Sequence, residues 1–464
     1  MSAATFAWHR ASRLLLTLTL ALAGCTESAR KSADAFETND NAASSDAGAN
    51  GAADVGSATN GGSSSPGDLT NTAGGDDETV AGDPGGNRVD LTNLPKGEDY
   101  LGWTWIATPG SMCRDGSPAG YFYRLGTAPE LMIYLNGGGA CADKFFCSLN
   151  PANVHQDLPI EYLIGGAPNL VVGPNAVRQV APDEGIFKID PRNPVAHWNM
   201  VYVPYCTGDI HAGVNKDVEV KDVAGKQQFV GYTNFGLFLE SFGPAFAHAG
   251  KVLLTGSSAG GFGTLINYDR TQAFFDNYGI KVVAISDSGV PMRDAYMAPC
   301  LQKRWRDYWG INQVLPKDCS ECFHADGGGL VEGLGSYLFK YKYADRMLGG
   351  FISSLEDGII RGFYAPGLNA TEGQPDDCTL DPGGNTVFSS FLLGRYDGAT
   401  FHAGLKDVID GVVGRDKIGY YVLEGEPHMH LWRPRFFETN GNDQSMAAWV
   451  ADILAGKPSH QGSL

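Results

Sequence analysis

The sequence predicts an α/β fold with a mostly parallel central sheet flanked by helices. Three observations lead there. Short apolar, β-branched runs recur along the chain, each run stops at a polar or glycine-rich segment, and stretches with helical spacing separate them. The first run, Glu130 to Leu135 (ELMIYL), gives way to NGGGAC. Asn199 to Pro204 (NMVYVP) is followed by YCTGD, Lys251 to Leu254 (KVLL) by TGSSAGG, and Lys281 to Ile285 (KVVAI) by SDSG. Met347 to Ser353 (MLGGFIS) precedes SLEDG, and Ile418 to Leu423 (IGYYVL) precedes EGEPHMH. Helical spacing shows in Phe235, Phe238, Leu239, Phe242 and Phe246, and again in Met446, Trp449, Ile453 and Leu454. No internal repeat interrupts this order. In open α/β sheets the site lies beyond the carboxyl ends of the strands. Here those ends carry a triple glycine, a pair of serines, an Asp-Gly and a His-Met-His.

The 464 residues suffice for one large α/β domain plus tails. Residues 1–25 have the form of a secretory signal: His9, Arg10 and Arg13 form a basic start, and LLLTLTLALA from Leu14 to Ala23 is too short an apolar run for a permanent span. Leu22-Ala-Gly-Cys25 resembles a bacterial lipobox, which implies lipidation at Cys25 and a membrane anchor without a transmembrane helix. Thr26 after that cysteine points to the outer membrane or cell surface. Residues 26–90 are rich in Ser, Ala, Gly, Asn and Asp with almost no large apolar side chain, so they are expected to be a disordered tether. Residues 91–464 then form the folded domain.

Charge and cysteine content follow the same division. The tether holds 12 acidic and 3 basic side chains, so half of the net charge of −18 resides there. The folded part has no basic patch for nucleic acid. Of nine cysteines, eight remain if Cys25 carries lipid: Cys113, Cys141, Cys147, Cys206, Cys300, Cys319, Cys322 and Cys378. In an exported protein that number favours up to four disulfides, with Cys141 to Cys147 a reasonable short loop. Cys319-Ser-Glu-Cys322 has no second CxxC or paired histidines near it, and neither a metal nor a cofactor is expected.

Gly256-Ser257-Ser258-Ala259-Gly260 fits G-x-S-x-G, in which a sharp strand-to-helix turn demands small neighbours and lifts the central hydroxyl above the sheet. The pattern selects Ser258 over Ser257. A serine hydroxyl needs a base, and the base needs an acid to orient it. His428 follows the last predicted strand and is the preferred base, with His430 the alternative. Asp357 follows the preceding strand and gives the chain order Ser, Asp, His; Asp287 in ISDSG is its rival. The glycines of LNGGGAC let backbone N–H groups turn toward a developing oxyanion, and one of them joined by the Ala259 N–H would complete the hole.

These residues resemble the pectin acetylesterase and Notum-type carboxylesterase family, especially its bacterial members. The similarity runs over most of residues 110–435. It rests on MCRDGSPAGYFYR, YLNGGGACADKFFC, NMVYVPYCTGDIHAG, TGSSAGGFG and SDSGVP, five blocks in order. The resemblance implies an α/β-hydrolase-like sheet, a serine carboxylesterase independent of metal, and a triad falling on Ser258, Asp357 and His428. It puts the oxyanion hole at Ala259 with Gly139 and Ala140, and Gly138 as a further candidate. Plant and animal relatives have tryptophan after the glycines where this chain has Ala140, so their acyl pocket does not transfer. The expected substrates are acetylated polysaccharide or a small acyl ester, and the alternatives are a short-chain or lipid carboxylesterase without a carbohydrate role and a non-catalytic surface binding protein.

Overall fold

The computed structural model describes residues 89–100, 102–154, 184–367, 378 and 396–464, all within the compact unit Thr79–Leu464. The signal segment with Cys25 and residues 26–88 of the expected tether lie outside the described residues. Twelve strands occur among the described residues: β1 (Glu98–Tyr100), β2 (Trp103–Met112), β3 (Pro118–Arg124), β4 (Leu131–Leu135), β5 (Asn199–Val203), β6 (Asn215–Val218), β7 (Gln227–Phe229), β8 (Val252–Ser257), β9 (Val282–Asp287), β10 (Gly349–Ser354), β11 (Ile418–Leu423) and β12 (His460–Gln461). The helices are α1 (Lys144–Leu149), α2 (Gly231–Phe242), α3 (Ala259–Asp276), α4 (Pro299–Trp309), α5 (Leu330–Ser336), α6 (Gly358–Tyr364), α7 (Gly398–Asp407) and α8 (Met446–Leu454).

Ten strands make one sheet in the order β1-β2-β3-β5-β4-β8-β9-β10-β11-β12. From β5 to β12 neighbours run parallel, whereas β1, β2 and β3 form an antiparallel edge that meets β5. All six apolar runs of the sequence are strands of the parallel part. Side chains alternate between two cores, as the two-residue period of a strand requires. Leu131, Ile133 and Leu135 of β4 join Leu265 of α3 in one, while Met132 and Tyr134 join Trp449 and Ile453 of α8 in the other. Both faces are therefore covered, which explains why these strands read as unbroken apolar runs.

The structure differs from the sequence reading at the edges. Strand β8 continues past Leu254 because Thr255, Gly256 and Ser257 still pair with Ile285, Ser286 and Asp287. The antiparallel edge was not expected: β2 contains Pro109 and Gly110, which are exposed together with Ala107, and shifts register between Ala107 and Met112. Strand β12 has two residues, too few to leave a pattern.

From β4 the chain crosses to β5 on one side and later returns to β8 on the other, so the order reverses between β4 and β8. In open sheets such a reversal, here at the carboxyl ends of β4 and β8, is where ligands bind. Four disulfides form among the described residues: Cys113–Cys206, Cys141–Cys147, Cys300–Cys378 and Cys319–Cys322. The Cys319–Cys322 pair is thus closed on itself. Cys113–Cys206 joins residues 93 apart and ties the β2–β3 edge to the segment after β5. Replacing both cysteines by serine is expected to lower unfolding free energy by about 2–5 kcal/mol in urea melts, and an unchanged midpoint would contradict that role.

Candidate active site

Ser258 sits between β8 and α3 with φ 58° and ψ −123°, a conformation that costs an L-residue on the order of 1–3 kcal/mol and persists only when its surroundings enforce it. They do so through glycine. A Cβ on Gly256 would lie 2.5 Å from Leu135 O, one on Gly260 would lie 1.9 Å from the same oxygen, and one on Gly137 would lie 2.8 Å from Ser258 Cβ. The elbow therefore packs backbone to backbone against the start of the glycine loop. Ser258 N–H donates to Asp287 O at 2.8 Å, and its own carbonyl accepts from Gly261 and Phe262 as α3 begins. The side chain is nearly buried, with 5% exposure.

Asp287 closes β9 and is fully buried. Its Oδ2 accepts from Ser257 Oγ at 2.6 Å, His430 N at 2.8 Å and Leu431 N at 3.0 Å. Tyr134 OH in turn donates to Ser257 Oγ at 2.8 Å. Next to it, Ser288 Oγ accepts from Met429 N at 3.0 Å. The loop after β11 is thus fastened through its backbone to the residue whose carbonyl holds Ser258 N–H. Ser257, set aside by the G-x-S-x-G pattern, belongs to this support.

Asp357 is also fully buried and caps α6, its Oδ1 accepting from Ile359 N and Ile360 N at 3.0 Å each. His428 Nδ1 lies 2.8 Å from Asp357 Oδ2 and 3.0 Å from Oδ1, and the imidazole is partly open to solvent. With Nδ1 donating to the carboxylate, Nε2 is left as the basic nitrogen. The rivals occupy other positions. The Asp287 carboxylate meets hydroxyls and backbone amides, and His430 is buried with Nε2 3.3 Å from Ser354 Oγ.

In the glycine loop, side chains from behind hold the carbonyls. His211 Nε2 lies 2.9 Å from Asn136 O, Asn150 Nδ2 donates to Gly138 O, Tyr205 OH donates to Gly139 O at 3.0 Å, and Trp309 Nε1 donates to Cys141 O at 3.0 Å. The N–H groups of Gly138, Gly139, Ala140 and Ala259 have no acceptor among the described residues. Gly139 takes φ 77° and is half-buried. Free amides at a strand end and at a helix start are what an anion site needs. None of Asn150, Tyr205, His211 and Trp309 was singled out from sequence; Tyr205 and His211 do fall in the YCTGDIHAG block.

Elsewhere, Asp294, His324 and Asp326 bring ligand-type atoms within 4.8 Å of one another. Asp294 is already engaged by Gln302 Nε2, Gly329 N and His324 Nδ1, so these groups are accounted for as loop structure.

Burial lowers the pKa of both His211 and His430 from 6.5 to about 4. Below pH 6.5 the unfolded chain gains a proton at each that the folded chain refuses, so this contribution to stability is lost as pH falls from 6.5 toward 4. Burial raises Asp209 from 3.8 to about 6, which acts in the opposite sense between those values: its folded carboxyl keeps a proton that the unfolded one has lost. His430→Asn is expected to make the acid-side fall in melting temperature between pH 6.5 and 4.5 shallower. An unchanged slope would contradict a neutral buried imidazole.

Comparison with known proteins covers both sequence and fold. Residues 98–327 match the pectinacetylesterase family model, a range that contains the glycine loop, Ser258 and Asp287 and ends before Asp357 and His428. The palmitoleoyl-protein carboxylesterase notum1′ of Xenopus laevis is 27% identical over 237 residues, 46% of this chain and 43% of that protein. Pectin acetylesterase 4 of Arabidopsis thaliana is 30% identical over 186 residues, 39% of this chain and 41% of that protein. The chain spans less than half the length of these curated relatives. The crystal structure of the Wnt deacylase Notum from Drosophila superposes with a TM-score of 0.53 at 20% identity, covering 78% of this chain and 95% of that one, and so shares its fold. Residues 98–327 are thus a pectinacetylesterase domain, and relatives of both the pectin acetylesterase and the Notum branch are similar to the chain.

Proposed function

We propose that the protein is a serine carboxylesterase acting through Ser258, His428 and Asp357. Ser258 Oγ attacks the ester carbonyl while His428 Nε2 takes its proton; the C–O bond to the alcohol then breaks as His428 returns that proton to the leaving oxygen. Water repeats the sequence on the acyl-enzyme and releases the acid. Asp357 holds the imidazole, and the N–H groups of Ala259, Gly139 and Ala140, with Gly138 in reserve, receive the oxyanion. The observation that carries this reading is the Asp357–His428 pair on a loop pinned, through Asp287, to the strained serine elbow.

The proposed substrate is an acetyl ester on a polysaccharide. A relative is named a pectin acetylesterase. Beside the glycine loop, Phe363 Cζ would lie 3.2 Å from a Cβ on Gly139, and Phe363 stacks on Phe146 at 4.5 Å, which favours a small acyl group there. A second reading, suggested by the Notum branch of the relatives, is a longer acyl ester. Relatives of that branch are named palmitoleoyl-protein carboxylesterases. Four disulfides agree with export, and anchoring at Cys25 in the outer membrane or cell surface belongs to the same proposal.

Fluorophosphonate is expected to label the wild type and not Ser258→Ala. Ser258→Ala and His428→Ala should each lower kcat on p-nitrophenyl acetate by on the order of 10⁴-fold, with melting temperatures near wild type. Labelling that survives Ser258→Ala would overturn the assignment, and an unlabelled wild type would favour a binding role. Acetate release from acetylated pectin or xylan, with rates falling along p-nitrophenyl esters of rising chain length, is expected; rates rising with length would favour the second reading.

A further inference from the structure

Tyr205 follows β5 and is completely buried, as is nearly all of Asn150 after α1. Both reach the glycine loop from the side away from its free amides. A trans peptide is planar, so its C=O and the N–H of the next residue point in opposite directions. Asn150 Nδ2 on Gly138 O therefore aims Gly139 N–H the other way, and Tyr205 OH on Gly139 O does the same for Ala140 N–H. Those two amides are the loop donors of the proposed oxyanion hole.

The Tyr205 hydroxyl has one proton, and its direction is determined. Ile210 N–H donates to the phenol oxygen at 2.7 Å, so the phenol's own proton is committed to Gly139 O. Ile210 and His211 are both at positive φ, 52° and 57°, which is costly for a β-branched residue. The turn is held by the buried Asp209 carboxylate, which accepts from Thr207 Oγ1 at 2.6 Å, Gly231 N at 2.7 Å and Gly213 N at 3.2 Å. The Cys113–Cys206 bond fixes the residue next to Tyr205, and Cys141 N–H donates to Gly208 O at 2.7 Å. The chain thus spends a strained turn, a buried carboxylate and a disulfide around one phenol.

We propose that Tyr205 and Asn150 are positioning residues that aim the Ala140 and Gly139 amides at the oxyanion. The inference rests on the serine-esterase reading above. Neither side chain touches the reacting atoms, so their effect is confined to states in which the carbonyl oxygen carries charge.

Tyr205→Phe keeps the ring and removes only the hydroxyl. It is expected to lower kcat on p-nitrophenyl acetate by about 10- to 100-fold with KM changed less than about twofold. Affinity for an aryl trifluoromethyl ketone, whose adduct oxygen mimics the oxyanion, should fall by the same factor as kcat/KM. A purely structural residue would not make those two losses agree. Asn150→Ala, tested beside it, should give the same pattern and covers the case in which Tyr205→Phe does not fold. Wild-type kcat and ketone affinity in the folded variants, with Ser258→Ala inactive, would overturn the positioning role alone. Activity retained in Ser258→Ala would instead overturn the serine-esterase reading on which it rests.

Discussion

The buried carboxylate of Asp287 and the carbonyl on the same residue join two parts of the chain that no local signal connects. The carbonyl holds Ser258 N–H, and the carboxylate takes the amides of His430 and Leu431 together with the Ser257 hydroxyl. A charge without access to water is tolerated only when its lone pairs are occupied by donors. Here three donors come from the elbow and the loop after β11, and the adjacent Ser288 Oγ adds a fourth at 3.1 Å. Displacing either partner would leave a buried acceptor unpaired, so elbow and loop are held in one arrangement. In the proposed triad Asp357 then needs only to orient the imidazole that this loop carries.

Close packing fixes the glycine loop in the same way. Glycines at 137, 256 and 260 let three backbone segments approach within contact, and a side chain at any of them would collide with backbone or with Ser258 Cβ. On the opposite side, donors from Asn150, Tyr205, His211 and Trp309 hold the loop carbonyls. Amides that would otherwise turn toward any available acceptor are kept free. The proposed oxyanion site would in this way be organised before substrate arrives, which is where the catalytic value of such a site lies.

Much of this was legible in sequence because strands covered on both faces leave unbroken apolar runs, and because a serine elbow needs glycines at fixed offsets. The six parallel strands, the elbow at Ser258 and the meeting of Asp357 with His428 all followed from those patterns and from chain order. Other features were not legible for physical reasons. Strand β2 is half exposed and bulged, so its pattern is diluted. The Cys300–Cys378 pairing spans 78 residues and depends on the tertiary fold. Asp287 was weighed as a triad member because a carboxylate after a strand looks alike whether it orients an imidazole or gathers backbone amides; only the fold distinguishes them. Tyr205 and Asn150 resemble any core tyrosine or turn asparagine, since a donor aimed at a carbonyl leaves no mark in spacing.

In the proposed mechanism the elbow, the imidazole loop and the glycine-loop amides converge on one reacting carbon. A crystal structure of the protein phosphonylated by a fluorophosphonate tests it most directly. Phosphorus is expected on Ser258 Oγ, with one phosphonyl oxygen about 2.7–3.1 Å from the N–H groups of Ala259 and of Gly139 or Ala140, and His428 Nε2 facing the ester oxygens. A phosphonyl oxygen directed into solvent, or an imidazole other than that of His428 beside the adduct, would contradict it.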